Sequence, residues 1–247
     1  MTDLNGKIAL LTGGFGSLGR AQAIKLSHEG AKIFILERPE FENAEEIVRQ
    51  LGDDVEYLGC DLNDLQAAEK QVAKLAQSVG GFDILINNAA LIINKPFEDF
   101  SLEEYEEQIR VNSSAAFALT RACAPAMKTK KYGKIINFTS LTLTGQWDGY
   151  VPYVASKGAM LGLTKSLARE LGPFGINVNS VAPGAVVSEA ENRVFGDKLQ
   201  EYNDWVLDRQ CLKTRIQPEQ VANLVHFLVS PSSDLISGQN ISIDGGW

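Results

Sequence analysis

Tyr153 and Lys157 stand four residues apart in Tyr-Val-Ala-Ser-Lys, and Ser140 follows the strand-like run Lys134–Phe138. On a helix, positions i and i+4 share one face, so the phenol and the ammonium enter the same space. A phenol with a pKa of about 10 is a poor base near neutrality, and a fixed cation beside it favours the phenolate. Lowering that pKa by ~3 units takes roughly 4 kcal/mol of differential stabilisation. A lysine and an oxidised nicotinamide together can supply that much. Such a tyrosine can take a proton from an alcohol while hydride leaves its carbon, so the chemistry expected is dehydrogenation. Spacing alone does not establish it, because Tyr and Lys four apart also occur as surface pairs.

A second signal lies at the other end of the chain. The apolar run Lys7–Leu11 is followed by Thr12, Gly13, Gly14, Phe15, Gly16, Ser17, Leu18 and Gly19, then by a helical stretch. Gly14, Gly16 and Gly19 match G-x-G-x-x-G between a strand and a helix, the context in which a glycine turn cradles a pyrophosphate. The helix N-terminus offers unpaired N–H groups to the same anion. The next strand, Lys32–Leu36, runs directly into Glu37, placed to accept hydrogen bonds from the adenosine ribose hydroxyls. A 2′-phosphate would meet that carboxylate, whereas Arg38 is the residue that would grip it. The expectation is NAD, with NADP the less favoured cofactor.

These residues need a frame to hold them. Strands are expected at Lys7–Leu11, Lys32–Leu36, Val55–Leu58, Asp83–Ile86, Lys134–Phe138, Asn177–Val181 and Asn240–Ile243. Helical patterns fall near Ser17–Glu29, Asn43–Leu51, Leu65–Val79, Leu102–Met127, Val151–Leu171 and Pro218–Val229. Alternation of this kind implies an α/β fold: a doubly wound, Rossmann-type, mostly parallel seven-stranded sheet with helices on both faces. At 247 residues, with 45% apolar content and no linker or repeat, one domain is expected. One segment, 185–215, breaks the rhythm. It is polar, carries Phe195, Tyr202 and Trp205, and reads as an irregular excursion beyond a strand end, where it can close over a ligand as a lid.

Composition narrows the partners. A net charge of −8 argues against nucleic acid and anionic membrane. Cys60, Cys123 and Cys211 show no C-x-x-C spacing and lie in or beside apolar segments, so reduced core or near-core thiols and a cytoplasmic setting are expected. His28 and His226 have no carboxylate at metal-ligand spacing, so neither a metal nor a serine–histidine hydrolase is expected.

In sum of its motifs the chain resembles the short-chain dehydrogenase/reductase family over nearly its whole length. Carrying the resemblance, in order, are Thr12-Gly13, Asp61-Leu62, Asn87-Asn88-Ala89-Ala90, Asn112, Ser140, Tyr153, Lys157, Pro183-Gly184 and Ser242–Gly246. It departs at Ser17 and Ala90, where the compact single-domain branch has glycine. Ser17 then either donates to a phosphate or serves as a helix cap. The resemblance implies Tyr153 as general acid/base, Lys157 bonded to the nicotinamide ribose, Ser140 orienting the substrate oxygen, and Asn112 anchoring a water that relays protons from Lys157. It also implies Cys60, Asp61 and Leu62 near adenine, Asn88, Ala89 and Ala90 after strand four, and Pro183, Gly184 and Val186 after strand six as cofactor neighbours. Asp61 as an exposed turn residue would look the same in sequence.

Gln146 and Trp147 lie between Ser140 and Tyr153, so they are expected at the substrate together with Val187; Leu91, Ile92 and Trp205 are weaker candidates, and packing is the lesser reading of Trp147. The expected function is hydride transfer between a nicotinamide cofactor and a secondary alcohol, sugar hydroxyl or ketone. An NADPH-dependent carbonyl reductase is the alternative, and a dinucleotide-binding regulator without catalysis is a third reading that the intact Asn112, Ser140, Tyr153 and Lys157 set opposes. Small residues at Ala155, Gly158, Ala159 and Gly162 permit close helix approach, and the resemblance implies a homotetramer or homodimer.

Overall fold

In the first strand, β1 (Ile8–Thr12), alternate side chains turn to opposite faces, so Ala9 and Leu11 enter one core and Leu10 the other. The same division repeats in β2 (Lys32–Glu37), where Ile33 and Ile35 oppose Phe34 and Leu36. Strands apolar on both faces must be covered twice, which is what a parallel sheet flanked by helices achieves. The computed structural model describes residues 3–247, without the side chains of Ala190, Asn192 and Arg193. With β3 (Val55–Gly59), β4 (Ile84–Asn87), β5 (Gly133–Phe138), β6 (Ile176–Pro183) and β7 (Asn240–Ile243), the sheet has the order β3-β2-β1-β4-β5-β6-β7 and every pairing is parallel. All seven expected strands are present, each within two residues of its expected bounds.

One face carries α1 (Ser17–His28), α2 (Ala44–Leu51) and α9 (Pro218–Val229), which bury Ala23, Leu26, Ile47, Val221, Val225 and Leu228. The other carries α3 (Leu65–Val79), α5 (Ala115–Lys130) and α6 (Val151–Leu171), burying Val72, Leu119, Met127 and Leu171. From β1 the sheet grows outward to β2 and β3 on one side and to β4 onward on the other, so the strand order reverses between β1 and β4 and a crevice opens at their carboxyl ends. Thr12, Glu37, Asn87, Phe138 and Pro183 all end their strands on that edge.

Three expectations need correction. The helical pattern Leu102–Met127 is not one helix: α4 (Leu102–Ile109) and α5 are joined by a π turn at Arg110–Ser114. The extra residue of a π turn shifts the register, and here the shift delivers the buried amide of Asn112 to the neighbouring segment after β4. Segment 185–215 is not irregular either. It contains α7 (Glu189–Phe195) and α8 (Leu199–Arg209), held by aromatic contact rather than by a continuous apolar period, with Phe195 stacked on Tyr202 at 3.7 Å and Val206 buried. Of the cysteines, Cys60 and Cys123 are buried but Cys211 is exposed, outside any core. No helix among the described residues is long and apolar enough to cross a membrane.

Candidate active site

Helix α6 begins with Pro152 in its first turn, at a position where a missing N–H costs nothing. One turn on, Lys157 is only 1% exposed and its Nζ donates to the carbonyl of Phe138, the last residue of β5, at 2.8 Å. Its Nζ lies 5.3 Å from the centre of the Tyr153 ring. Ser140, two residues past β5, is extended and nearly buried. The Ser140 hydroxyl oxygen accepts from the Thr142 N–H at 3.1 Å and from the Thr142 hydroxyl at 2.9 Å, so its own proton is left free to donate, and its hydrogen bonding tempers the Tyr153 phenol. The three residues therefore meet at the carboxyl edge of β5.

Polar side chains buried behind them fix that meeting. Asn87 donates to Asn137 at 2.8 Å, and Asn137 donates to Thr164 on α6 at 2.9 Å, tying β4, β5 and α6 together. Asn112 accepts from the Leu91 N–H at 2.6 Å and donates to the Leu91 carbonyl at 2.9 Å and to Ser156 at 3.0 Å. Its side-chain amide is thus used as a clamp between the π turn, the segment after β4, and α6. With Thr12, Leu62, Asn87 and Ala89 it lines a cavity of about 10 Å³, room for about one water.

The charges differ from expectation at one point. A lowered phenol pKa is expected from Lys157, yet burial pushes Tyr153 up to about 12, with the Ser140 hydrogen bond opposing. Burial likewise lowers Lys157 to about 7. The reason is desolvation: drawing the groups out of bulk water, Lys157 fully and Tyr153 in part, penalises each charged form, and the ammonium is turned to the Phe138 carbonyl. Any lowering of the phenol must come from charge added to this pocket.

Glycines shape the turn after β1. Gly13 adopts φ +67, and a Cβ there would meet the Ala89 backbone at 2.8 Å. A Cβ on Gly14 would strike Ile35, and one on Gly19 would drive into the Gly13 carbonyl. Gly16 is different: a Cβ there would find nothing nearer than the Gly13 oxygen at 3.8 Å. Protein packing does not require that glycine, so it leaves open space in front of the turn. Gly16 is also the α1 N-cap and has no side-chain cap, leaving first-turn N–H groups for an anion. Open space, an uncapped helix end and a ribose-height carboxylate at Glu37 suit a dinucleotide.

Asn88 braces this turn. It donates to the carbonyls of Thr12 and Gly13 at 3.0 and 3.1 Å and accepts from Gln22 at 3.0 Å, while Thr12 Oγ1 accepts from the N–H groups of Asn88 and Ala89. Ser17 does not cap α1; its hydroxyl oxygen accepts from the Glu189 N–H at 3.3 Å, linking the turn to α7 and leaving its own proton free to donate. Two expected cofactor neighbours turn their side chains away from the crevice. Phe15, 2% exposed, packs against Phe41 and Tyr57, and Cys60 is buried beneath β2 and β3 in the opposite core. Leu18 packs on the core, while Leu62 lines the small cavity. Asp61 is exposed and caps its own turn by accepting from Asn63 N–H at 2.9 Å. Ala90 is exposed beside the crevice.

Glu37 ends β2, where its carboxylate accepts from the Arg38 N–H at 3.0 Å; the Arg38 side chain is exposed and forms no ion pair among the described residues. Past β6, the Gly184 N–H donates to Ile243 at 2.9 Å, Pro183 and Val186 are buried, and Val187 is partly exposed. Gln146, like Ile92, is exposed. Trp147 stacks on Trp247 at 4.5 Å and meets Trp205 edge-on at 5.2 Å, bridging the loop before α6 to α8.

Sequence reasoning missed three residues here. Tyr150 sits edge-on to Tyr153 at 6.1 Å, Arg215 lies over the Tyr202 ring, and Glu191 is paired with Arg215. Glu191 and Arg215 are 24 residues apart and share no periodicity; no signal in the chain points to their pairing.

The profile of one family, described as enoyl-(acyl carrier protein) reductase, matches residues 14–247. The chain is 34% identical to a 3-oxoacyl-[acyl-carrier-protein] reductase of Rickettsia bellii, covering 100% of this chain and 98% of that protein. It is 33% identical to gluconate 5-dehydrogenase of Gluconobacter oxydans, covering 99% of this chain and 95% of that protein. A crystal structure from Beutenbergia cavernae, provisionally described as an NAD(P)-dependent gluconate 5-dehydrogenase with NADP bound at low occupancy, superposes with a TM-score of 0.93 at 31% identity, covering 100% and 98% of the two chains. The chain belongs to the short-chain dehydrogenase/reductase family, oxidoreductases that move a hydride between a nicotinamide cofactor and a hydroxyl or keto carbon.

Proposed function

We propose that this chain interconverts a secondary alcohol or sugar hydroxyl and the corresponding ketone, with Tyr153 as the general acid/base and NAD as the preferred cofactor. The observation that carries the proposal is the convergence of Tyr153, Ser140 and Lys157 at the carboxyl edge of β5. The cofactor supplies the hydride acceptor or donor and, when oxidised, a positive charge. Gly13 to Gly19 hold its pyrophosphate, Glu37 its adenosine ribose, and Asp61 the adenine side. Asn88, Ala89, Ala90, Pro183, Gly184 and Val186 border the rest of its path.

Ser140 donates to the substrate oxygen and stabilises charge developing there. Tyr153, with its phenol held protonated by burial, is set to give a proton in reduction; in oxidation it takes one, aided by the added positive charge. Lys157, drawn down to about 7, can carry the proton onward at physiological pH, and the Asn112 clamp keeps that route in place. Gln146, Trp147 and Val187 border the substrate, and segment 185–215 closes over it.

An NADPH-dependent reductase is the second reading, favoured by the exposed Arg38, which has no ion-pair partner among the described residues, and by the NADP in the Beutenbergia cavernae relative. We further propose a homodimer or homotetramer in a reducing, cytoplasmic setting. The exposed small face of α6 at Ala155, Gly158, Ala159 and Gly162 supports assembly, as open space surrounds Gly162. Screening alcohols, sugars and ketones with each cofactor, read by the absorbance of reduced nicotinamide, tests the function. Turnover of none of them by either cofactor would refute it.

A further inference from the structure

An ion pair closed off from water normally uses its hydrogen-bonding capacity fully. The pair formed by Arg215 and Glu191 does not. Among the described residues, Arg215 Nη2 alone makes the hydrogen bonds of the guanidinium, to Glu191 Oε1 at 2.6 Å, Glu191 Oε2 at 2.8 Å and the Ala185 carbonyl at 3.3 Å. Its Nε is buried with no hydrogen-bond partner among the described residues. Both side chains are nearly closed to solvent, at 11% and 12% exposure. A buried donor left unmade costs free energy, which a bound group can recover.

The surroundings point the pair at the reaction centre. Arg215 lies over the Tyr202 ring at 5.6 Å, and Tyr202 stacks on Trp205 at 6.0 Å, which in turn meets Trp147 edge-on at 5.2 Å. Glu191 lies close enough to Tyr150 for its charge to raise that phenol, and Tyr150 is edge-on to Tyr153. Aromatic faces thus line the interval between the pair and the catalytic tyrosine. A carboxylate accepts from hydroxyls, a guanidinium donates to them, and together they add no net charge. That chemistry matches adjacent hydroxyl groups whose C–H faces rest on aromatic rings. It does not match a long acyl chain, which would desolvate the pair further and leave Arg215 Nε without a partner.

We propose that Glu191 and Arg215 are specificity-determining residues that bind vicinal hydroxyls of the substrate, making this chain selective for polyhydroxylated, sugar-class alcohols over simple secondary alcohols. The inference rests on Tyr153 being the acid/base of an alcohol oxidation.

The test compares kcat/KM for sorbitol, xylitol and gluconate with kcat/KM for cyclohexanol and 2-octanol, in the wild type and in Glu191→Gln, Arg215→Met and Arg215→Lys. A site built around substrate hydroxyls discriminates strongly against analogues lacking them. The wild type should favour at least one polyhydroxylated probe by about 100-fold or more. In Glu191→Gln and Arg215→Met that preference should fall by about 10- to 100-fold, mainly through KM, with partial recovery in Arg215→Lys. A pair that merely fastens the segment would depress both probe classes alike and leave their ratio unchanged, and that result overturns the proposal. Wild-type turnover of cyclohexanol or 2-octanol but of no polyhydroxylated probe also overturns it, while leaving the role of Tyr153 intact. Turnover of no probe at all overturns both.

Discussion

Replacing Glu37 with alanine removes the carboxylate that stands at the end of β2, held there by its hydrogen bond from the Arg38 N–H. A 2′-phosphate on the adenosine ribose would come within about 4 Å of it, and two unit charges at that distance repel by ~4 kcal/mol at an effective dielectric of ~20. Glu37 is only partly buried and Arg38 is exposed, so solvent screens most of this. About 1–2 kcal/mol of discrimination should survive, or roughly 5- to 30-fold in affinity. The wild type should therefore show a higher kcat/KM with NAD than with NADP on the same substrate. In Glu37→Ala the ratio should narrow by about that factor, through lost ribose contacts with NAD and relieved repulsion with NADP. Steady-state kinetics with both cofactors at one substrate concentration series reads it directly. A wild type that prefers NADP, with a ratio unmoved in Glu37→Ala, would refute the reasoning and transfer cofactor choice to Arg38.

Other expectations follow from the buried catalytic pair, the glycine turn and the helical segment over the crevice. Lys157 falls to about 7 in the fold from 10.5, so between those values the unfolded chain holds a proton that the folded chain lacks, and stability rises with pH. Tyr153 rises to about 12 from 10.0, so above pH 10 the folded chain holds the extra proton and stability falls. Denaturant midpoints of the cofactor-free protein should reflect both, and Lys157→Met should lack the first rise; an identical profile in that variant would contradict it. Gly19→Ala should cost about 1–3 kcal/mol in unfolding experiments, because its Cβ has no room against Gly13 and Gly14. Gly16→Ala should fold normally yet bind dinucleotide more weakly, and unchanged binding by calorimetry would remove the pyrophosphate from this turn. Limited proteolysis within 185–215 should slow when NAD and substrate are both present, and unchanged cleavage there would count against closure.

What the sequence disclosed follows physical range. The central strands were legible because they are short apolar runs whose alternation divides two cores, as Ile33 and Ile35 against Phe34 and Leu36 illustrate. Tyr153 and Lys157 were legible because one helix sets their spacing. The π turn at Asn112 was not, because the pattern of Leu102–Met127 stays helical on either side and the register shift answers to Leu91, a residue distant in sequence. Helices α7 and α8 were hidden because ring contacts such as Phe195 on Tyr202 stabilise them, not periodicity. The raised phenol was hidden too: the spacing shows a cation nearby but not that Lys157 is closed off from water while Tyr153 stays only partly exposed. Glu191 and Arg215 meet only through the tertiary fold.

The account stands on proton transfer by Tyr153, and the variant Tyr153→Phe isolates that step, since the ring and its packing remain while the hydroxyl goes. The decisive measurement is kcat on an established substrate beside the calorimetric affinity for the cofactor, both in Tyr153→Phe. General acid–base groups contribute about 10²–10⁴-fold, so kcat should fall by that order while dinucleotide affinity stays close to that of the wild type. A variant that keeps most of its kcat would contradict the assignment of Tyr153 as the acid/base.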